Sequence, residues 1–150
     1  MVILAEYRTI RLDAPPYRNA RLALNLATFG AAFALYSTIH GLQLRSLISA
    51  PLMMLVTFPL ALELLRSTEE QLERTWLYAA VVTLVVGELT WAINALGLRA
   101  LSGGGVLLLA FYTLSGLAQQ HLADRLNRRV ATEFVVTAVI GLAFIVLSAP

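Results

Sequence analysis

The residue with the greatest chemical potential in this chain is Glu88. It stands inside a long apolar run, 12 residues after Trp76, which is about 18 Å along a helix rising 1.5 Å per residue. At that depth in a bilayer a carboxylate costs several kcal/mol unless it is paired, hydrated or protonated. No arginine lies within one helical turn of it. Matching depths along neighbouring segments brings Ala34 and the stretch from Ala110 to Tyr112 to its level. Tyr36 and Tyr112 are therefore the expected hydrogen-bond partners of a protonated Glu88. Trp91 and Asn94 lie one and two turns further along the same segment. Together Glu88, Trp91, Asn94, Tyr112 and Tyr36 form the candidate intramembrane polar site. Such a carboxyl is either a proton or cation site, or a hydrogen-bonded tie between helices.

Other polar residues are weaker candidates. Glu63 has Arg66 one turn on and Glu133 has Arg129 one turn back, so local ion pairs at helix ends account for both. The two histidines, His40 and His121, fall at opposite ends of their segments and cannot share a metal, and each reads as an interfacial polar residue. His121 and Asp124 at i and i+3 have the spacing of an acid–base pair, but no serine completes a nucleophilic triad. There is no cysteine, which removes disulfides and thiolate metal sites. The glycines at 103–105 lack the Gly-Lys-Ser/Thr ending of a phosphate loop, so Ser102–Gly105 reads as a flexible loop. No cofactor or metal site is expected and no enzyme motif is present.

These residues must be positioned by helices. Of 150 residues, 59% are hydrophobic and the mean hydropathy is +0.75, against about 45–50% apolar in soluble domains. The apolar residues gather in blocks of about 20, the length that crosses about 30 Å of hydrocarbon. Five blocks result: Leu22–Leu42, Leu47–Leu65, Trp76–Gly97, Gly105–Leu122 and Val130–Leu147. The expected fold is an all-α bundle of about five transmembrane helices, forming one domain over 22–150 after a tail over 1–21. The opening five apolar residues are too few for a signal peptide. Pro51 is tolerated in the first turn of the second segment, whereas Pro59 lies inside it and should bend it by more than about 20°. Ser67–Glu70 has the pattern of a capping box, which would start the third helix near Thr68.

Small residues suggest how the helices meet. Ala27, Gly30, Ala31 and Ala34 would let another backbone approach the first segment. Thr83, Gly87, Thr90 and Asn94 form a small and polar stripe on the third, with Glu88, Trp91 and Ala95 on a different face. Two such faces imply that the third helix is central and packed on both sides. The fifth segment, almost wholly apolar beyond Glu133, should face lipid broadly.

All eleven cationic side chains are arginine, a habit expected of a bacterial genome of high GC content. Nine of them lie in the N-terminal tail and in the 66–75 and 123–129 stretches, leaving only Arg45 and Arg99 on the other side. Cytoplasmic loops hold the excess of such charges, so the N-terminus is expected inside and the C-terminus outside. The same reading accounts for the pI near 9.4 without nucleic acid. A multi-pass protein of the bacterial inner membrane is implied, with the lipid bilayer, a second copy or other membrane subunits as partners.

Three stretches carry a resemblance: Leu44-Arg-Ser-Leu-Ile-Ser-Ala-Pro51 with Leu64-Leu-Arg66; Gly87-Glu-Leu-Thr-Trp91; and Gln120-His-Leu-Ala-Asp-Arg-Leu-Asn-Arg-Arg129 with Glu133-Phe134. From Arg21 onward the chain resembles a family of small bacterial polytopic membrane proteins known only as a domain of unknown function. That resemblance implies no activity, cofactor or catalytic residue. Two function classes follow from the residues: a non-catalytic membrane subunit or scaffold, which is favoured, and a small oligomeric transporter or channel built around Glu88.

The arginine asymmetry is directly testable. A single cysteine placed at Ala149 should react with a membrane-impermeant maleimide added outside intact cells. Protection from that reagent, with labelling only after lysis, would refute five spans with the N-terminus inside.

Overall fold

The computed structural model describes the backbone of residues 15–42, 46–66 and 72–148, and the side chains of 22–42, 47–66 and 73–147. Five helices follow one another: α1 (Pro15–Gly41), α2 (Ser46–Arg66), α3 (Leu72–Leu96), α4 (Ala100–Leu122) and α5 (Arg128–Ser148). Each contains an apolar stretch of 20 to 24 residues, long and apolar enough to cross a membrane. Among the described residues there is no strand. The all-α, five-helix architecture expected from the hydropathy blocks is therefore present.

Local chemistry sets the helix limits. α1 opens at Pro15 and Pro16, seven residues ahead of its apolar stretch at Leu22. A helix tolerates proline there because the first amides have no intrahelical acceptor to lose. α2 continues unbroken through Pro51 and Pro59. The 67–70 capping box lies outside the described residues. α3 ends at Gly97, whose φ of +63° is a left-handed conformation that glycine adopts without a Cβ penalty.

Two expectations about packing are corrected. Ser102–Gly105 is not a loop; it lies in the first turns of α4, with Gly103 and Gly104 buried. A Cβ on Gly104 would sit 2.7–2.8 Å from the Ser37 backbone, and one on Gly103 would overlap the His40 ring. The glycines are thus the surface on which α1 lies against α4. Nor is α3 the central helix. α4 is, since it touches each of the other four. Its buried positions Gly103, Gly104, Leu107, Phe111, Ser115, Ala118 and Leu122 form one long stripe.

The remaining helices group around that axis. α2 packs most extensively on α3, and α1 on α4. Met53, Leu65, Val86, Leu107, Phe111 and Tyr36 are fully buried between them. Gly87 receives the Met54 side chain, which a Cβ there would displace. α5 touches only α4 extensively, and none of its apolar stretch is buried, as its composition suggested. By contrast the α1 row of Ala27, Gly30, Ala31 and Ala34 is exposed, and a Cβ on Gly30 would meet nothing within 4 Å.

These contacts separate two glycines that look alike in sequence. Gly104→Ala should lower the stability of the detergent-solubilised protein by about 1–3 kcal/mol, the usual cost of overpacking. Gly30→Ala should leave it unchanged or raise it by up to about 1 kcal/mol, through helix propensity. Denaturation by sodium dodecyl sulfate, followed by circular dichroism, compares the two. Equal effects would mean that α1 and α4 do not meet at Gly104.

Candidate functional site

Hydroxyl side chains within helices can satisfy themselves, and here most do. Thr28, Thr38, Thr57, Thr83, Thr90, Thr113, Ser115, Thr132 and Thr137 each donate to the carbonyl four residues back, at 2.6–2.9 Å. Such bonds let a hydroxyl sit in an apolar helix without calling for a ligand. The small and polar stripe on α3 follows this rule. Thr83, Gly87 and Thr90 are buried, and Asn94 Nδ2 donates to Ser49 Oγ of α2 at 2.7 Å. The stripe is the α2–α3 seam.

Tyr36 has a different partner from the one expected. Its Oη lies 2.9 Å from Thr57 Oγ1. The Thr57 hydroxyl proton is already committed to Met53 O at 2.7 Å, so Tyr36 is the donor. This three-member chain joins α1 to α2, and the Tyr36 ring meets Phe111 of α4 edge-on with centroids 6.1 Å apart. Tyr112 sits on the opposite flank of α4, its ring near Phe29 of α1 at 5.5 Å and Phe134 of α5 at 5.8 Å. Neither tyrosine reaches Glu88.

Glu88 is exposed on the outer face of α3, away from the core. Among the described residues it has no hydrogen bond and no ion pair. It lies nine residues before Gly97, about 13 Å from that end of α3 at 1.5 Å per residue. Trp91, 54% exposed, is one turn away on the same face. The two share a shallow groove of about 420 Å³ between α2 and α3, walled by Leu47, Pro51 and Met54. Of the five residues expected to form one polar site, only Glu88 and Trp91 come together. The two tyrosines turn instead toward Thr57, and toward Phe29 and Phe134.

The ends of the helices hold the other polar contacts. His40 is buried, and its Nε2 donates to Leu98 O in the α3–α4 turn at 2.9 Å. It is a structural tie between α1 and that turn rather than an interfacial side chain, and Gly103 makes room for its ring. Its Nδ1 and the nearby Ser37 Oγ are buried without a partner. Gln119, which carries no motif signal in the sequence, donates from Nε2 to Leu64 O near the end of α2 at 3.0 Å. Arg129 and Glu133 form the expected ion pair at 3.6 Å, with both groups largely exposed. Glu63 and Arg66 do not pair among the described residues. His121 packs its ring on Tyr78 at 5.5 Å, and its link to Asp124 is a backbone bond, Asp124 N–H to His121 O at 3.1 Å. Among the described residues no three acidic or histidine side chains converge on a common point.

The contrast between Tyr36 and Glu88 has a measurable consequence. Tyr36→Phe removes an interhelical donor and should cost about 0.6 kcal/mol, the mean for such bonds inside membrane proteins. Glu88→Leu breaks no hydrogen bond or ion pair among the described residues and should leave the stability of the dispersed monomer unchanged or higher. A Glu88→Leu monomer that unfolds more easily than Tyr36→Phe would return Glu88 to the interior.

No curated protein and no solved structure matches the chain. The model of a family described as a protein of unknown function (DUF5656) matches residues 1–148, almost the whole chain, and this protein therefore belongs to that uncharacterised family.

Proposed function

We propose that this protein is a non-catalytic, multi-pass subunit of a bacterial inner membrane that works as an assembly of copies joined along the outer face of α3. The observation that carries this is Glu88, an exposed carboxyl in the apolar stretch of α3 with no hydrogen-bond or ion-pair partner among the described residues. A charged residue at the centre of a membrane helix costs about 2.5–3.5 kcal/mol on insertion scales. Contact with a second helix that supplies a polar group offsets that cost.

The geometry of the face suits a helix. Leu77, Val81, Leu84, Glu88, Trp91 and Ala95 are all exposed, and their spacing alternates between four and three residues. That is the 3.5-residue period of a helix–helix seam, in which one polar residue fixes the register. Any helix packed on one side leaves such a stripe, so the carboxyl is the distinguishing feature. On α5 the exposed stripe from Val135 onward is apolar, apart from Thr137, whose hydroxyl is spent on Glu133 O. Two copies inserted the same way and related by a two-fold axis along the membrane normal bring each seam residue to its counterpart. Glu88 then meets Glu88, and one carboxyl donates to the other rather than both carrying charge. The groove beside Glu88 favours a second reading, a small oligomeric transporter or channel that uses this carboxylate.

The absence of native cysteine makes the seam testable by oxidative cross-linking in native membranes. Single cysteines at Leu84 and Ala95 should give disulfide-linked dimers, because bridged Cα atoms must come within about 7 Å. A cysteine at Val139 on α5 should not. Glu88→Leu in the Ala95→Cys background should lower the yield. Yields that are absent at the seam, or equal at all three positions, would refute the assembly.

A further inference from the structure

We infer that the groove between α2 and α3 binds amphiphilic organic cations, with a quaternary or onium charge carried on an apolar body. The inference rests on the same exposed carboxyl as the assembly, but it concerns a site built within one chain.

Charge determines the class of ligand. Among the described residues Glu88 is the only ionisable one lining a groove whose other walls are aliphatic, thioether or indole: Leu47, Pro51, Met54 and Trp91 among them. Asn94 and Ser49 are bonded to each other and do not line it. Among the described residues the groove therefore offers one carboxylate, one indole and no further polar side chain. An anion finds only repulsion there. A bare inorganic cation needs several oxygen ligands and has one carboxyl. A primary ammonium or guanidinium brings several N–H donors that apolar walls leave unsatisfied. A quaternary ammonium or phosphonium brings none. It is attracted by the carboxylate and by the indole ring, while its substituents rest on the apolar walls.

Shape and access agree with that chemistry. The volume of about 420 Å³ lies within the range of about 300–1,000 Å³ typical of small-molecule sites. Leu47 and Trp91 are largely exposed, so the groove opens sideways and a ligand dissolved in the bilayer reaches it without crossing the core. Met54 forms an adaptable wall, held against Gly87, where a Cβ would displace it.

The sequence contains two tryptophans, so Trp76→Phe leaves Trp91 as the sole indole reporter. In the full chain, reconstituted in phosphatidylcholine nanodiscs, tetraphenylphosphonium should quench Trp91 fluorescence saturably. Glu88→Gln should weaken that response by at least about tenfold, while Glu88→Asp, which keeps the charge, should weaken it less. A neutral tetraphenyl analogue should give only the unsaturable quenching of partition into lipid. Circular dichroism checks that each variant is folded. Unsaturable quenching by the cation, or equal affinity in the Glu88→Gln protein, would overturn the site. That outcome would leave cross-linking at the α3 seam untouched, and failure of cross-linking would leave cation binding untouched.

Discussion

The contact on which the structure depends is the close approach of α1 to α4 at Gly103 and Gly104. Helices that are apolar on every side gain little from burying one another in a medium as apolar as themselves, so packing and backbone proximity decide which faces meet. Two adjacent glycines let the Ser37 backbone come within the reach of a single methyl group. His40 fits over Gly103 and donates to Leu98 O, which also fixes the turn joining α3 to α4. With α1 and α4 set, Tyr36 points between them toward Thr57, and α2 is drawn in by that bond. α3 then docks on α2 through its stripe of small and polar residues.

The five helices were legible in the sequence because span length and hydropathy are one-dimensional properties. The inward stripe of α3 was legible too, since Thr83, Gly87, Thr90 and Asn94 recur at helical spacing. What could not be read was the rotation of each helix about its axis. Depth alone put Tyr36 and Tyr112 beside Glu88, and only the packing of α4 turns the first toward α2 and the second toward Phe29 and Phe134. The glycines were misread for a related reason. In water a glycine run loosens a helix, so 103–105 looked like a loop. Between two apolar helices the same residues form a packing surface. Thr57 drew no notice because its partner is 21 residues away on another helix.

The polar groups of the helices divide into three kinds. Most threonine hydroxyls, and Ser115, return a hydrogen to their own helix. Tyr36, His40, Asn94 and Gln119 each reach across to another element. Among the described residues Glu88 does neither. The first kind is neutral to assembly and the second kind holds the monomer together. The third contributes no described contact to the fold, which is why the proposed assembly and ligand site both rest on it.

That division explains why Glu88 and the α1 glycine row carry different weight, although both face away from the core. Gly30 and its alanine neighbours expose an apolar surface that needs no polar partner, so their position demands nothing. Glu88 stands two turns and more from the end of α3, too far for its short side chain to reach the aqueous boundary as a long arginine would. Its free energy is therefore set by its immediate neighbours, and the two proposed here are a second carboxyl across the seam and an organic cation in the groove. Both occupants use the same oxygen atoms. If both proposals hold, binding of a cation on the α2 side competes with the carboxyl contact on the seam side, and the two equilibria are linked through one residue.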